Sequence, residues 1–316
     1  MQTTRTGWLY LCLSLCQSAL LFAIVLASQS ATAATEFALS EVASGVFVHE
    51  GRHEEMTLEN QGDIGNSGFV VGSESVAVID PGGSLEVGRL LLAAIREQTE
   101  LPIRYVILTH IHPDHWAGVG AFPKESQIVT HNNFPRALAQ RGEFYRQRFS
   151  ELLGTQDLQS LMKPDILIED LLNINLGGRE LRIRAYPTAH TDNDLTVLDK
   201  DTDTLFASDL VFSVRTPSLD GSLPGWLSVL KELASEDPQL VIPGHGRPSD
   251  WPSATAEQIH YLQTLESETR RQIKQGKSLS LALKTAEKDE GSANFELYNQ
   301  VHPTNITKAY TELEWE

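Results

Sequence analysis

The sequence contains almost no cysteine. The two cysteines, Cys12 and Cys16, both lie in an N-terminal segment that we predict to be removed. A mature chain starting at Ala34 therefore has no disulfide bond, no thiolate ligand and no cysteine nucleophile. Any metal ion must be held by nitrogen and oxygen donors, and covalent cysteine chemistry is excluded.

Positive charge is also scarce. The chain has 25 Lys and Arg against 42 Asp and Glu, which gives a formal net charge of -17. Residues 1–33 contain a single ionisable side chain, Arg5, so their removal makes the charge still more negative. Such acidity disfavours binding to nucleic acids and to anionic membranes, and we predict neither as a partner.

Linkers and internal repeats are absent from the sequence as well. No tract is rich enough in Pro, Gly or Ser to mark a domain boundary. Residues 34–316 are therefore predicted to form one domain, in which strands and helices alternate before a helical C-terminal part that starts near Pro252.

The first 33 residues are predicted to be a signal peptide. Arg5 precedes an apolar run from Trp8 to Ala27, and the segment from Ala31 to Ala33 has the A-x-A pattern of a cleavage site. This pattern predicts export to the periplasm. The alternative is an uncleaved membrane anchor, because about twenty apolar residues are long enough to span a bilayer.

Residues 108–122 contain the densest group of metal-binding side chains. His110, His112, Asp114 and His115 follow the apolar run IRYVIL, which is typical of a buried strand. Two imidazoles at i and i+2 on a loop can converge on one metal ion, while the aspartate and the last histidine point to a second.

Three further candidate ligands follow other predicted strands in the second half of the chain. His190 lies on the loop after one strand, Asp209 ends a second, and His245 lies in a glycine-flanked turn after a third. We therefore predict one site made by His110, His112 and His190. A second is made by Asp114, His115 and His245, and Asp209 can bridge the two.

Asp80 also ends a strand, VAVID, and it has two interpretations. Its carboxylate could accept a hydrogen bond from a metal-bound imidazole, or it could cap the next helix, for which Ser84 is another candidate. The polar loop of residues 53–66 is either one wall of a substrate site or an exposed connection.

Other polar and aromatic residues carry weaker signals. His131 ends a strand but has no ligand pattern beside it, which favours a position at the surface or behind the ligands, and His260 and His302 have no companions. Four large aromatic residues could line a pocket or simply pack in the core. They are Trp116, Phe134, Tyr145 and Trp226.

The order HIHPDH, then His190, Asp209 and His245, resembles the metallo-β-lactamase superfamily. The resemblance runs from about Ala34 to the C-terminus and implies an α/β fold, a four-layered αββα sandwich. The aspartate at 209 looks unlike the β-lactamases that use cysteine there and more like the glyoxalase II thioesterases.

A narrower resemblance lies in the loops. RAYPTAHTDNDLTVLD, SLDGSLPGWL, PRALAQRGEFY and AYTELEWE are similar to the quinoprotein relay system zinc metallohydrolases. That resemblance implies an exported enzyme that is functionally linked to dehydrogenases using pyrroloquinoline quinone (PQQ).

These features predict metal-assisted hydrolysis of an ester or thioester, with Asp114 and Asp209 as catalytic residues. Two Zn²⁺ ions are expected, although Mn or Fe would tolerate the same donors. The alternatives are a β-lactam hydrolase, a mononuclear iron persulfide dioxygenase, and a non-catalytic metal-binding accessory protein.

Overall fold

Two β-sheets hold the strands predicted from the sequence. The computed structural model describes residues 37–153, 163–285 and 294–316. The predicted signal peptide, residues 1–33, therefore lies outside the described residues.

The first sheet is built from the first half of the chain. Its seven strands follow one another in sequence order, antiparallel from β1 to β4 and parallel from β4 to β7. They are β1 (Leu39–Ala43), β2 (Val46–His49), β3 (Ser67–Val71), β4 (Val76–Ile79), β5 (Ile103–Ile107), β6 (Gln127–His131) and β7 (Ile166–Ile168).

The second sheet takes its strands from the second half. Its order is β12-β11-β10-β9-β8, with β8 to β11 antiparallel and β12 parallel to β11. The strands are β8 (Leu171–Asn175), β9 (Glu180–Ala185), β10 (Leu195–Asp199), β11 (Thr204–Phe212) and β12 (Leu240–His245).

Apolar side chains of both sheets share one core. Ile79 and Ile107 of the first sheet cluster with Ile183 and Phe206 of the second. Because side chains alternate along a strand, Leu205 beside Phe206 belongs instead to the cluster formed with the C-terminal helices. The mixed α/β architecture is the αββα sandwich expected from the sequence.

Seven α-helices accompany the sheets in the described part of the chain. They are α1 (Leu85–Gln98), α2 (Pro113–Trp116), α3 (Phe134–Leu153), α4 (Leu223–Ala234), α5 (Trp251–Lys274), α6 (Leu279–Thr285) and α7 (Tyr298–Leu313). A short 3-10 helix, Ala117–Ala121, follows α2. None of the described helices combines the length and the apolar composition needed to cross a membrane.

Ser84 caps α1, as its place before the helical pattern predicted. Its hydroxyl accepts a hydrogen bond from the backbone N–H of Val87 at 3.2 Å. The helix buries Val87, Leu91 and Ile95, which recur at the spacing of one helical face. Asp80 is therefore not the cap, and that interpretation was wrong.

One buried arginine ties the two sheets together. Arg179 donates to both carboxylate oxygens of Asp199 in the second sheet, at 2.8 and 2.7 Å. The same guanidinium donates to the carbonyls of Val71 and Ser44 in the first sheet, at 3.0 and 2.8 Å. This fork of donors is geometry that lysine does not offer.

Two predicted strand ends differ from those in the structure. Asp209 lies inside β11 rather than at its end, because the register with β12 shifts on both sides of Ser208, whose φ is 46°. These irregularities bend the strand and let it continue to Phe212. His245 is the last residue of β12, not part of the turn that follows.

Candidate metal centre

Four of the seven predicted ligands lie on the short stretch after β5. The backbone is extended at His112, which is the N-cap of α2, and becomes helical from Pro113. Proline suits the first helical position because the N–H it lacks would be unsatisfied there. This change of conformation separates His110 and His112, which join one ligand set, from Asp114 and His115, which join another.

The first ligand set comprises three imidazoles and one carboxylate. His112 Nδ1 lies 2.9 Å from His190 Nε2. Asp209 Oδ2 lies 3.3 Å from His190 Nε2 and 3.5 Å from His110 Nε2. The four ligand atoms all lie within 4.8 Å of one another. The structure thus brings together the predicted set, whose members lie up to 99 positions apart in the sequence.

The second ligand set is formed by Asp114, His115 and His245. Asp114 Oδ2 lies 3.5 Å from His115 Nε2 and 3.4 Å from His245 Nε2. All three side chains are at most partly exposed, and both histidines are buried.

Asp209 faces both sets with different oxygens. Its Oδ2 belongs to the first set, while its Oδ1 lies 3.1 Å from His115 Nε2 and 3.4 Å from His245 Nε2. The lack of a side chain at Gly244 leaves the space for this carboxylate, because a Cβ there would lie 1.8 Å from Asp209 Oδ1.

The donors fit divalent metal ions. Two ligands about 2.05 Å from a tetrahedral ion stand roughly 3.3 Å apart, close to the separations measured here. His110 Nε2, His115 Nε2 and Asp209 Oδ1 are buried and have no hydrogen-bond partner within the described residues. Leaving such atoms unsatisfied costs about 1–3 kcal/mol each. A cation in each ligand set would satisfy all three.

Burial and neighbouring charges set the protonation of these ligands. Burial lowers the pKa of His110 well below its usual value. Burial alone would raise the pKa of Asp114, but the charges of His115 and His245 outweigh it and lower that pKa to about 2. The same imidazoles overcome the effect of burial at Asp209 and hold its pKa well below the ordinary value. Burial would lower the pKa values of His115 and His190, but the Asp209 carboxylate outweighs it and raises both. A metal ion binds ionised carboxylates and neutral imidazoles, so its binding would displace protons from these rings.

Asp80 orients ligands of both sets. Its Oδ2 accepts from His115 Nδ1 at 3.0 Å, and both of its oxygens accept from Thr109, at 2.9 Å from the N–H and 2.8 Å from the hydroxyl. The Thr109 hydroxyl in turn lies 3.0 Å from His110 Nδ1. Asp80 thus fixes His115 directly and His110 through Thr109, as the first of its two interpretations predicted.

Other outer contacts hold the rest of the ligands. His245 Nδ1 donates to the carbonyl of Ile64 at 2.7 Å, and His112 Nε2 donates to Asp220 Oδ2 at 3.2 Å. His190 differs, because its buried Nδ1 has no partner within the described residues and its ring packs 5.1 Å from the ring of Trp226.

The polar loop of residues 53–66 borders the second ligand set. Besides the Ile64 carbonyl, Gly65 packs so closely that a Cβ there would lie 3.0 Å from the ring of His115. The loop therefore forms a wall of the centre rather than a distant exposed connection.

Four residues around the ligands were not predicted from the sequence to belong to the site. Asp220 contacts His112, and it also pairs with Arg141 and, at 2.9 Å, with Lys308. Arg215 lies with its Nη1 3.4 Å from His245 Nδ1. Each of these pairs spans 30 residues or more. No local pattern could have revealed them.

Three other histidines that the sequence analysis considered lie apart from the ligand sets. His131 is buried and accepts a hydrogen bond from the N–H of Asn133, so a position at the surface was wrong. His302 bonds to the hydroxyl of Tyr261 at 2.9 Å, and His260 is exposed. These three histidines have structural or surface roles, as expected for the last two.

The four aromatic residues pack in the interior. Trp116 and Trp226 each donate their indole N–H to a backbone carbonyl, at 2.7 and 2.9 Å. Phe134 is fully buried and Tyr145 nearly so. Of the two interpretations, packing is the one that the structure supports.

Comparison with known proteins gives a family match over the region that holds the centre. The sequence profile described as "Metallo-beta-lactamase superfamily" matches residues 60–245, which is more than half of the chain and includes all seven ligands. A linear primary-alkylsulfatase from Pseudomonas sp. is 22% identical over 213 residues, 55% of this chain and 40% of that protein. The chain therefore corresponds to less than half of that relative.

Solved structures share the fold at low identity. A metallo-beta-lactamase from Pontibacter korlensis superposes with a TM-score of 0.58 at 21% identity, covering 72% of this chain and 98% of the other. The stereoselective inverting sec-alkylsulfatase Pisa1 from Pseudomonas sp. gives a TM-score of 0.65 at 16% identity, covering 87% and 50%.

Proposed function

Because the chain belongs to the metallo-β-lactamase superfamily and is a metal-dependent hydrolase, we propose that it cleaves a carboxylic ester or thioester. The proposed enzyme is exported and uses two zinc ions. The observation that carries this proposal is the position of Asp209, which places Oδ2 in the first ligand set and Oδ1 in the second. A carboxylate shared in this way keeps two cations close enough to act on one substrate.

Each residue of the centre has a defined task in this reaction. The histidines of the first set and the second set hold the cations, and Asp80 keeps two of their rings in the required tautomer. When bound, such ions lower the pKa of water to about 7 and polarise a carbonyl oxygen. Asp114 and Asp209 orient the attacking oxygen through their carboxylates.

Asp114 also suits the transfer of a proton to the leaving group. Its Oδ2 faces the second ligand set, and the side chain keeps 14% exposure, so it reaches the solvent side of the centre. Because the charges of His115 and His245 lower its pKa, Asp114 is ionised at neutral pH and can accept a hydrogen bond from the attacking water.

Export and the functional link to PQQ-dependent dehydrogenases belong to the same proposal. They are supported by the signal-like segment of residues 1–33 and by the loop sequences that resemble the quinoprotein relay system hydrolases. Zinc is proposed over Mn because imidazoles supply three of the four donors in the first set and two of the four in the second, and imidazole suits zinc better than Mn.

A second candidate reaction is hydrolysis of an alkyl sulfate ester. The similarity to a linear primary-alkylsulfatase, and the fold shared with a sec-alkylsulfatase, favour this reaction over the β-lactam and persulfide alternatives. Alkyl sulfates are substrates of those relatives and only a candidate substrate class here. The test below separates alkyl sulfate hydrolysis from ester or thioester hydrolysis.

The test is hydrolysis of a substrate panel by the zinc-loaded protein. The panel contains glutathione thioesters, aryl esters, a primary alkyl sulfate and a cephalosporin. We expect turnover of an ester or thioester that Asp209→Ala abolishes, with loss of bound metal, and that the exposed-residue control Asp201→Ala retains.

Two outcomes would contradict the proposal. Preferential turnover of the alkyl sulfate or the cephalosporin would replace the proposed bond class. Undiminished hydrolysis and metal content in Asp209→Ala would remove the two-ion centre as the source of activity.

A further inference from the structure

The C-terminal segment lies beyond the region matched by the family profile, which ends at residue 245. Its sequence gave no catalytic signal. In the structure it nevertheless runs along the loop that joins β11 to α4, residues 213–222, which we call the ligand loop.

The ligand loop contacts three metal ligands. Arg215 lies 3.4 Å from His245, and Asp220 accepts from His112 at 3.2 Å. The backbone N–H groups of Asp220 and Gly221 donate to the carbonyl of His190, at 3.2 and 2.6 Å. A shift of this loop would therefore move ligands of both sets.

The backbone of the C-terminal segment pairs with the start of the ligand loop. The N–H of Glu296 donates to the carbonyl of Val214 at 2.8 Å, and the N–H of Thr216 donates to the carbonyl of Glu296 at 3.0 Å. The Thr216 hydroxyl donates to the same carbonyl at 2.8 Å.

One face of α7 continues these contacts. Asn305 accepts from the N–H of Leu219 at 2.9 Å and donates to the carbonyl of Pro217 at 2.6 Å. One turn later, Lys308 donates to Asp220 Oδ1 at 2.9 Å. Residues three or four apart lie on the same helical face, so the helix holds the loop along its length.

The end of the ligand loop is held in the same way. Glu312, one turn beyond Lys308, accepts from the N–H of Leu223 at 2.9 Å. Leu223 is the first residue of α4, so the contacts of the C-terminal segment reach from one end of the loop to the other.

The ligand loop contains backbone strain that needs outside support. Val214 has a φ of 67°, a left-handed conformation that is unfavourable for a β-branched residue. Strain of this kind costs roughly 1–3 kcal/mol and persists only where the surroundings enforce it. The pairing with Glu296 directly at Val214 supplies that support.

We propose that the C-terminal segment, residues 296–312, positions the metal ligands through the ligand loop, with Asn305 and Lys308 as its main positioning residues. Asp220 is shared among His112, Arg141 and Lys308. Lys308 binds Oδ1, whereas His112 and Arg141 share Oδ2, so without Lys308 the carboxylate can turn and His112 loses the fixed partner of its ring. This role rests on the metal centre of the proposed function, but not on the identity of the substrate.

The experiment compares Lys308→Met with Lys308→Arg and wild type in the full-length protein. Metal dissociation constants are measured by competition with a chromophoric chelator, the visible spectrum is recorded with Co²⁺, and unfolding of the metal-free protein is followed in urea. Lys274→Met, at the exposed end of α5, is the matched control.

We expect Lys308→Met to weaken one of the bound ions about tenfold, the low end for loss of an outer contact. The Co²⁺ spectrum should change, while metal-free stability stays within the range of the control. Lys308→Arg should restore both metal affinity and spectrum. Glu312→Gln keeps the helix face but weakens the hydrogen bond from the N–H of Leu223 at the start of α4. This variant should give a smaller change in the same direction.

Metal affinities and Co²⁺ spectra of Lys308→Met that match those of Lys274→Met would overturn the positioning role. So would a loss of affinity that tracks only a loss of metal-free stability. A wild-type protein that binds metal but cleaves no ester would contradict the proposed reaction and leave the Lys308 comparison intact.

Discussion

The bridging carboxylate of Asp209 depends on a residue that has no side chain. A Cβ on Gly244 would lie 1.8 Å from Asp209 Oδ1 and 2.7 Å from its backbone nitrogen. Neither atom belongs to a flexible side-chain end that could swing away. The carboxylate would have to leave the position that serves both ligand sets.

We therefore predict that Gly244→Ala weakens binding of both metal ions by at least about tenfold. Metal content after dialysis and chelator competition measure this directly. The control is Gly120→Ala, whose Cβ would meet its nearest neighbour, Leu85 Cδ1, at an ordinary 3.6 Å. Full metal retention by Gly244→Ala would show that Asp209 does not need its present position.

At the scale of single residues, the sequence identified the candidate ligands but not the residues that hold them in place. His110, His112 and His115 follow a strand in a recognisable local pattern, and the structure brings them into the two sets. Asp220 and Lys308 are 88 residues apart and meet only through tertiary packing. A single sequence contains no local signal for such a pair.

At the scale of secondary-structure elements, the turn from β4 to α1 contains two polar residues, and each has a different role. Ser84 caps the helix, and Asp80 orients the rings of His110 and His115. Asp80 has a φ of 50°, a conformation that Asn also adopts readily, so Asp80→Asn leaves the backbone unstrained.

These tasks predict opposite phenotypes. Ser84→Ala should lower the free energy of unfolding by about 1 kcal/mol, the usual cost of a lost N-cap, and leave metal affinity unchanged. Asp80→Asn should weaken metal binding about 10- to 100-fold, because the amide cannot accept from all of its present donors. Urea unfolding and metal titration of both variants check this, and exchanged phenotypes would reverse the two assignments.

The secondary structure also shows what sequence periodicity does not predict. Periodicity predicted the strand that contains Asp209 but placed the end of that strand too early, because the register shift at Ser208 depends on pairing with β12. It identified the C-terminal helices from Pro252 onward but not their contact with the ligand loop. That contact depends on which face of α7 packs against the ligand loop, which only the tertiary structure determines.

For the whole molecule, Arg179 links the second sheet to the first, and Asp199 holds the guanidinium in place. Burial alone would raise the pKa of Asp199, but hydrogen bonds from Arg179 and Thr202 outweigh it and lower that pKa. A carboxylate whose pKa is lowered by folding stabilises the protein at neutral pH. This contribution is lost as the pH falls below about 4, the ordinary value.

We predict that Asp199→Asn lowers the free energy of unfolding at neutral pH by about 2–3 kcal/mol, since a buried guanidinium loses its charge partner. The difference from wild type should shrink as the pH is lowered toward about 3, because the carboxylate of the unfolded wild-type chain becomes protonated below about 4 while the folded one still resists protonation. Urea unfolding across this range is the measurement, with Asp201→Asn in the same turn as the exposed control. A difference that does not depend on pH would exclude this ion pair as its cause.

The αββα architecture came from resemblance rather than from periodicity. Alternation of strands and helices predicted an α/β domain, but nothing in that pattern specifies which strands share a sheet or that the chain fills one sheet before starting the other. Those features depend on the long-range contacts of residues such as Ile79 and Phe206 in the shared core.

The division of the chain between the two sheets also sets an order of events during synthesis. His110, His112, Asp114 and His115 follow β5 of the first sheet, whereas His190, Asp209 and His245 come from the part of the chain that builds the second. Neither ligand set is complete in either half. A growing chain consequently has no complete first set until Asp209 has been synthesised and no complete second set until His245 has been synthesised, so two-metal binding must follow the synthesis of strands from both sheets.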